Sequence, residues 1–386
     1  MGRRTAIVAT GQTHHKSTRK DVNGQELIHE AVTRCLQDGD LTIDDIDGVL
    51  IGNMDHFEGI NYNDCWSVDG SGAYMKPLIK VTTGGTTGCS LAIAGYHMVA
   101  SGMFKKLLVI GWEKNSESDT TAGITTCADP LLERQVMAGA ISPLACHAQA
   151  YNRMYGGTPK DAARVSVRDH RHGHNNPFTQ LQMEVTIEDV LKSAPLADPL
   201  RLLDMCPRTD GACAVVFACE GVAEKITEIP AWVKGTANRH LYTNYSDLYQ
   251  TGTLESMVEA SKELYRKTGI KEPLKELDVV ELYQPFSWAG MMWIEDMGLC
   301  KKGEGPRLVW DGVTDMGGEL PFNPSGGVLC ANPIGATGLI RQAEAVLQIQ
   351  GKADKRQVPD VNLALATGFG GNWWTDMVLY SKQKPK

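Results

Sequence analysis

A glycine-rich segment, Gly84–Cys89, places a cysteine where a turn is expected to enter a helix. Its glycines permit a sharp turn, and apolar residues recur at helical spacing from Leu91 to Val99. The positive end of a helix dipole stabilises a thiolate relative to a thiol. A small buried residue is the commoner role of a single cysteine, but the glycines and the helix start favour chemistry here. The sequence therefore predicts that Cys89 is a nucleophile with a lowered pKa.

Composition and charge narrow the classes of protein to which the chain can belong. The 386 residues carry a formal net charge of −8, which argues against nucleic-acid binding through a basic surface. No apolar run approaches membrane-spanning length. The segment that follows Met1 is typical of a strand, so we expect no signal peptide and a cytoplasmic protein.

The cysteine and histidine patterns give little support to a metal site. The ten cysteines are scattered without a Cys-x-x-Cys pair, a pattern that suits reduced cytoplasmic thiols. His170, His172 and His174 alternate like a metal-binding tract, but nothing nearby supplies a fourth ligand. We therefore expect no metal in this chain.

Two stretches of the chain repeat the same order of elements. Helix, strand, glycine-rich turn, helix and strand follow one another between Val22 and Gly111, and again between Leu254 and Ala366. Such a repeat indicates an internal duplication, and alternating strands and helices predict α/β halves with mostly parallel pairing. The expected domains are an N-terminal half (residues 1–112 and 201–226), an inserted loop or lid domain (113–200) and a C-terminal half (227–386).

Several segments resemble a known family, and they are spread over most of the chain: Ala197–Asp204 with Thr209–Val216, Leu277–Phe286, Gly317–Gly327 and Pro333–Gly338. With a cysteine at the first glycine-rich turn, they resemble the thiolase superfamily, in its non-decarboxylating branch of sterol-carrier-type and archaeal thiolases. The resemblance implies an α/β thiolase fold whose duplicated halves form a five-layered α-β-α-β-α arrangement in a dimer. It also implies coenzyme A as a co-substrate. Because this chain contains no OB-fold zinc-ribbon module, the resemblance further implies a separate small subunit of that kind in an α2β2 complex.

The chain departs from the family at three of its four usual catalytic positions. Tyr283 stands where the family has the residue that orders an oxyanion-hole water, and Asn332 replaces the histidine that activates the nucleophile. Thr367 lies roughly in the place of the second cysteine, so only Cys89 is retained. Tyr283 and Asn332 can donate to an oxyanion, Tyr283 can also move a proton, and the resemblance places the backbone of Gly370 at the oxyanion site. The alternative is that these polar groups only fill a degraded site.

Two further roles are assigned by analogy with the family. His147, on an apolar helical run, is the best candidate for a replacement base, although a packing histidine is an equally good interpretation. Arg164, Arg168, Arg171 and His172 are expected to meet the phosphates of coenzyme A. A solvated charged face would explain these four residues equally well.

These observations lead to three hypotheses about function. The first is a thiolase that cleaves a bulky 3-oxoacyl-CoA with coenzyme A through an acyl-Cys89 intermediate; Trp373 and Trp374 favour an aromatic or branched acyl group. Within the family the likeness is to thiolases that split benzoylsuccinyl-CoA into benzoyl-CoA and succinyl-CoA in anaerobic toluene degradation. The second is a thiolase-like aldolase for retro-aldol cleavage of a side-chain acyl-CoA, in which Tyr283 is the acid or base and Cys89 is incidental. The third is a non-catalytic scaffold subunit.

Overall fold

The structure is a computed structural model, and it describes residues 2–59, 62–241, 244, 252–370 and 373–385. The strands are β1 (Thr5–Gln12), β2 (Gly48–Gly52), β3 (Leu78–Lys80), β4 (Lys106–Lys114), β5 (Pro195–Ala197), β6 (Leu200–Arg201), β7 (Asp210–Cys219), β8 (Ala231–Arg239), β9 (Val279–Glu281), β10 (Leu363–Gly370) and β11 (Trp374–Ser381). The segment that carries Thr367 and Gly370 continues into residues 371 and 372, which lie outside the described part.

The α-helices are α1 (Gly24–Asp38), α2 (Asn63–Trp66), α3 (Val68–Ser71), α4 (Thr87–Ala100), α5 (Thr120–Thr125), α6 (Ile141–Tyr155), α7 (Pro159–Gly173), α8 (Ile187–Lys192), α9 (Ala223–Ile226), α10 (Glu255–Thr268), α11 (Pro273–Glu276), α12 (Ala289–Asp296), α13 (Gly305–Trp310), α14 (Gly327–Cys330) and α15 (Ile334–Gln350).

Nine strands form one mixed sheet in the order β3-β2-β4-β7-β1-β8-β11-β10-β9. β2 pairs in parallel with β3 and β4, and β9 pairs in parallel with β10. β7 pairs antiparallel with both β4 and β1, and β8, β10 and β11 are joined by antiparallel pairings. The prediction of mostly parallel pairing is therefore wrong. β11 begins four residues after β10 ends, and so short a connection allows only an antiparallel hairpin.

The sheet and the helices stack in layers. Alternate residues of a strand pack against different helices, which shows that helices cover both faces of the sheet. On β7, Ala214 and Val216 pack in a cluster with α1, whereas Val215 and Phe217 pack in a second cluster with α4 and α15. Successive strand residues point to opposite faces, so β7 has helices on both sides. A third cluster places α10 and α12 against Leu379 of β11, the opposite face of the C-terminal strands. The cluster with α4 and α15 also contains Ala366 of β10 and Val378 of β11, so these two helices lie between the N-terminal and C-terminal strands of the sheet. The predicted five-layered α-β-α-β-α arrangement is therefore confirmed.

The two central helices, α4 and α15, approach each other very closely at their N-terminal ends. A Cβ atom on Gly88 would lie 2.3 Å from the Leu339 nitrogen, and one on Gly338 would lie 2.4 Å from the Cys89 nitrogen. Only glycine permits this backbone contact at both positions. The contact fixes the start of α4, and therefore Cys89, against α15.

Helices α5 to α8 occupy the segment between β4 and β5 that was predicted to be an insertion. Thr158 and Asp161 form a capping box at the start of α7, where Pro159 occupies the first turn. α7 then packs against α12, α13 and α14 of the C-terminal half. The domain boundaries themselves stay a prediction.

Candidate active site

A cavity of about 310 Å³ lies where the inserted helices meet the ends of β9 and β10 and the turn before α4. Its walls are largely apolar, with aromatic rings from Phe369, Trp373 and Trp374. The other lining residues are Met54, Thr83, Gly84, Gly85, Ile124, Cys127, Ala140, Pro143, Leu144, Met205, Cys206, His240, Tyr283, Pro285, Asn332, Ile334 and Gly370. An apolar cavity with a few converging polar groups is the usual form of a small-molecule site.

One wall of this cavity carries a hydrogen-bonded polar cluster centred on Asn332. The Tyr283 hydroxyl donates to Asn332 Oδ1 over 3.3 Å, and the Thr337 hydroxyl donates to the same oxygen over 2.8 Å. Asn332 Nδ2 donates in turn to Cys206 Sγ over 3.1 Å. Three elements supply the cluster: the segment after β9, the start of α15, and the chain leading into β7. The sequence analysis expected Tyr283 and Asn332 to face the Cys89 turn; the structure bonds them to each other in the cavity wall, where Cys89 is not a lining residue.

Burial keeps this cluster uncharged. It raises the pKa of the Tyr283 phenol, with the Cys206 sulfur as the next cause, and it raises the pKa of the Cys206 thiol to about 12. Desolvation disfavours the charged form of an acid, so both groups hold their protons at neutral pH. The cavity wall therefore presents proton donors.

Cys89 does not face the cavity. Its side chain is fully buried, and its sulfur accepts a hydrogen bond from Gln342 Nε2 over 3.1 Å. Burial, with Asp376 as the second cause, raises the pKa of the Cys89 thiol well above its usual value. The prediction of a lowered pKa is therefore wrong: α4 starts at Thr87, and the first turn directs the Cys89 side chain towards α15.

The turn that precedes α4 is the part that reaches the cavity, through Gly84 and Gly85. A Cβ on Gly85 would lie 3.0 Å from the Gly370 Cα atom, and one on Gly370 would lie 2.7 Å from the Thr86 nitrogen. These two glycines thus let the end of β10 lie directly against the start of α4. The assignment of the Gly370 backbone to an oxyanion site stays a prediction.

His147 lies behind the cavity wall. It is fully buried on α6, its ring centroid is 5.2 Å from that of Trp373, and neither ring nitrogen has a hydrogen-bond partner among the described residues. Burial lowers the pKa of His147 to about 3, so the imidazole is neutral. Because the Trp373 ring contacts the cavity and the imidazole does not line it, the expectation of a substrate-contacting base is not met.

The basic residues of α7 do not form a phosphate-binding surface. Arg168 is fully buried, and its Nε donates to Asp169 over 2.8 Å. His172 is also buried: its Nδ1 lies 3.1 Å from the Asn323 carbonyl, and burial lowers the pKa of its ring to about 4. The expectation that Arg168 and His172 contact coenzyme A is therefore wrong.

Arg164 and Arg171 share a single carboxylate partner. Both guanidinium groups lie on Asp315 Oδ2, at 2.6 Å and 2.9 Å. This pairing leaves only part of their charge available to a phosphate, so the structure gives no support to the predicted role. The charge pattern did not show that the acidic partner comes from the other half of the chain.

The buried part of the α7 network has a different consequence, since it holds the residue next to Tyr283. Arg168 Nη2 donates to Gln284 Oε1 over 3.3 Å, and Gln284 Nε2 donates to Asp169 Oδ2 over 2.5 Å. Behind Tyr283, its backbone nitrogen donates to the Thr367 hydroxyl over 2.8 Å. Hydrogen bonds to the Gln284 side chain and to the Tyr283 backbone thus hold the segment that carries the phenol.

Two cavity residues were missed as site candidates. Cys206 and Cys127 were treated only as scattered thiols, yet both line the cavity. Cys206 lies between the two segments Ala197–Asp204 and Thr209–Val216 that carry the family resemblance, which is the signal that could have identified it. Cys127 has no such signal, because its partner His56 is 71 positions away.

Within the described residues, no group of three or more His, Cys, Asp or Glu side chains could hold a metal ion. No helix in the same part of the chain is long and apolar enough to cross a membrane.

Comparison with known proteins identifies the family. The model of the thiolase N-terminal domain matches residues 5–221, and the thiolase C-terminal domain-like model matches residues 237–381. The acetyl-CoA acetyltransferase of Methanothermobacter thermautotrophicus is 33% identical over 380 residues, covering 97% of this chain and 98% of the relative. The benzoylsuccinyl-CoA thiolase subunit BbsB of Thauera aromatica is 32% identical over 304 residues, covering 76% of this chain and 77% of the subunit.

A solved structure shows the same fold. The Ltp2-ChsH2(DUF35) aldolase superposes with a TM-score of 0.86 at 24% identity, covering 99% of both chains. The family resemblance stated from the motifs is thus confirmed over nearly the whole chain, and the acyltransferase class predicted from it agrees with the names of the acetyl-CoA acetyltransferase and the BbsB subunit. The chain belongs to the thiolase family of CoA-dependent acyltransferases.

Proposed function

We propose that this chain cleaves or forms a carbon–carbon bond of a bulky 3-oxoacyl-CoA inside the cavity, with Tyr283 and Asn332 at the reacting carbonyl. The observation that carries the proposal is the placement of the Tyr283–Asn332–Cys206 cluster in the wall of an otherwise apolar cavity. Thiolytic cleavage needs donors for a developing oxyanion and an acid for the departing enolate. A buried, neutral phenol can donate a hydrogen bond to the oxyanion first and then give its proton to the enolate.

The geometry assigns each polar group a separate task. Tyr283 acts as a donor and an acid, because burial raises its pKa and keeps its proton in place. Asn332 orients the phenol, and Thr337 fixes the Asn332 amide in turn. One positioned donor of this kind is worth on the order of a hundred- to a thousand-fold in rate.

The acyl group that suits the cavity is aromatic or branched. Phe369, Trp373 and Trp374 supply rings, and Leu144 and Ile124 complete an apolar surface. We propose benzoylsuccinyl-CoA, split into benzoyl-CoA and succinyl-CoA, as the first substrate to test, since the relative BbsB carries that substrate in its name. The same name, which is that of a subunit, supports a separate partner. We propose a homodimer core that binds a small OB-fold zinc-ribbon protein.

The cytoplasmic location predicted from the sequence also stays a proposal. All ten cysteines are free thiols in the structure, as a reducing compartment would keep them.

Retro-aldol cleavage of a side-chain acyl-CoA is a second candidate, and the burial of Cys89 favours it. Aldol chemistry needs no covalent nucleophile, and Tyr283 could serve as its acid or base. The two candidates differ in their need for a second thiol. A thiolase requires free coenzyme A, whereas a retro-aldolase releases its products without it.

The experiment that separates these candidates is turnover of benzoylsuccinyl-CoA with and without free coenzyme A, followed by chromatography of the products. Formation of benzoyl-CoA only when coenzyme A is present supports the thiolase. Cleavage of a β-hydroxyacyl-CoA analogue without coenzyme A supports the aldolase. Absence of any turnover, with or without an OB-fold partner, supports the scaffold hypothesis and contradicts the proposal.

A further inference from the structure

A second thiol in the cavity wall has an imidazole within hydrogen-bond distance. Cys127 Sγ lies 3.5 Å from His56 Nε2, and Cys127 is itself a lining residue. Cys127 follows α5 and is half-buried, whereas His56 lies in the loop after β2 and is exposed. A nucleophile and a base from two separate loops meet at this point of the cavity.

Three other thiols lie in or near the cavity wall, and each has a different environment from Cys127. Cys89 is fully buried, and its sulfur accepts a hydrogen bond from the side-chain amide of Gln342. The Cys206 sulfur accepts a hydrogen bond from the side-chain amide of Asn332, and an amide cannot act as a base for the thiol. Cys330 lies 3.8 Å from His170, but it is buried away from the cavity. In the described part of the chain, Cys127 is the cysteine that combines access to the cavity with an imidazole base.

The wall around Cys127 is continuous with the wall that carries the polar cluster. Cys127 packs in a small apolar group with Met54, Phe57 and Ile334. Met54 and Ile334 also line the cavity, and Ile334 is two residues from Asn332. A substrate that fills the cavity would therefore contact both the thiol and the Tyr283–Asn332 donors.

Burial and a nearby positive charge shift the pKa of the Cys127 thiol in opposite directions. Burial raises the pKa of the Cys127 thiol, while the positive charge of Arg134 lowers it. Ionisation of the thiol on its own is unfavourable because burial raises its pKa. If an imidazole takes the thiol proton, a thiolate–imidazolium ion pair forms instead.

We propose that Cys127, with His56 as its base, is the acyl-accepting thiol of this enzyme. The inference rests on the function proposed above and adds its nucleophile. His56 takes the thiol proton, and the sulfur bonds to the keto carbon of the 3-oxoacyl-CoA. The carbon–carbon bond then breaks, and its electron pair passes to the α-carbon of the departing acyl-CoA.

The remaining steps restore the enzyme. The α-carbon takes a proton from the Tyr283 phenol; solvent then returns a proton to Tyr283 and takes the proton that the exposed His56 holds. Free coenzyme A then gives its proton to His56 and attacks the acyl-Cys127 thioester. The Cys127 thiolate leaves and regains that proton, so one 3-oxoacyl-CoA and one coenzyme A become two acyl-CoA molecules.

The test is to mix the full-length protein with benzoylsuccinyl-CoA in the absence of free coenzyme A, quench it, and locate any acyl adduct by peptide mass spectrometry. The wild-type protein is compared with Cys127→Ala, Cys89→Ala and, as a control outside this cavity, the exposed Cys146→Ala. We expect an adduct on Cys127 that disappears only in Cys127→Ala.

His56→Gln tests the base and keeps the thiol in place. We expect acylation to slow at least a hundred-fold at pH 7 and to recover as the pH is raised, since hydroxide then ionises the thiol without an imidazole. A merely structural role of His56 would not give this pH-dependent recovery.

The outcomes separate the two proposals. An adduct on Cys89 or Cys206 overturns the assignment of Cys127 and leaves thiolytic cleavage intact. Cleavage of benzoylsuccinyl-CoA without an adduct on any cysteine overturns the acyl-enzyme intermediate and leaves carbon–carbon cleavage in the cavity intact. If neither a product nor an adduct forms, the proposed function itself is contradicted.

Discussion

The Tyr283 hydroxyl donates a hydrogen bond to Asn332 Oδ1 over 3.3 Å, across the junction between the segment after β9 and the start of α15. The family resemblance assigns both residues to positions where the family has other side chains, and in the structure they contact each other in one cavity wall. A shared chemical task for the bonded pair is the hypothesis that the predictions below test.

The second hydroxyl on Asn332 gives a prediction about positioning. Thr337→Val removes the 2.8 Å donor that fixes Asn332 Oδ1, but it leaves Tyr283 in place. The loss of one neutral hydrogen bond corresponds to about a five-fold change in an equilibrium. We expect kcat to fall about three- to ten-fold with little change in KM, and Thr337→Ser to restore it. Equal loss in both variants would show that the hydroxyl has no part in positioning.

Thiol reactivity tests the burial of Cys89. In the native protein, a maleimide should modify the exposed Cys65 and Cys146 within minutes and leave Cys89 unmodified. Denaturation in urea should make Cys89 reactive, which serves as the control. Rapid labelling of Cys89 in the native protein would show that the contact between α4 and α15 opens. Cys89 would then again be a candidate nucleophile.

Much of the fold was predictable from the sequence, and the reason lies in repeated local patterns. The helix and strand expected after Val22 form as α1 and β2, and the helix and strand expected after the glycine-rich turn form as α4 and β4. Periodicity fixes the type of each element well but its ends poorly. Pairing direction depends on contacts distant in the chain, so the antiparallel position of β7 was not visible.

The errors in the site follow from the same limit. Each helical residue turns the side-chain direction by about 100°, so an uncertainty of two residues in the start of α4 decides whether Cys89 faces the cavity or α15. Arg168 looked like a surface cation because its partners, Thr314 and Gln284, are more than a hundred positions away. Tyr283 and Asn332 were recognised as site candidates because each lies in or next to a family motif, but their expected partner, Cys89, does not line the cavity.

A buried carboxyl beside the cavity gives a pH prediction. Burial, and then the neighbouring Glu58 carboxyl, raises the pKa of Glu113 well above its usual value; Glu113 accepts the backbone amides of Met54 and Gly335. Above the unfolded pKa the folded state then binds more protons than the unfolded state, so folding stability from this group falls as pH rises.

Glu113→Gln removes that titration. We expect the free energy of unfolding of the wild type, relative to Glu113→Gln, to decrease between pH 5 and pH 8, by at most about 1.4 kcal/mol per pH unit. Urea denaturation at four pH values measures it. A constant difference across this range would show that Glu113 does not hold a raised pKa in the folded state.

The apolar wall predicts how selectivity depends on cavity size. Leu144 lines the cavity from α6, and Leu144→Phe fills part of its volume. We expect kcat/KM for benzoylsuccinyl-CoA to fall at least ten-fold, equivalent to about 1.4 kcal/mol, and that for acetoacetyl-CoA to change much less. As a control, Leu308→Met changes a buried leucine of α13 outside the cavity. An equal fall for both substrates would argue that the acyl group binds elsewhere.

The central claim is that the chemistry takes place at Tyr283 in the cavity and not at the sealed sulfur of Cys89. It is tested most directly by measuring turnover of benzoylsuccinyl-CoA for Tyr283→Phe and Cys89→Ala side by side, with thermal unfolding to confirm that both fold. The account predicts a fall of roughly a hundred- to a thousand-fold for Tyr283→Phe and nearly wild-type turnover for Cys89→Ala. Full activity of Tyr283→Phe together with an inactive Cys89→Ala would contradict it.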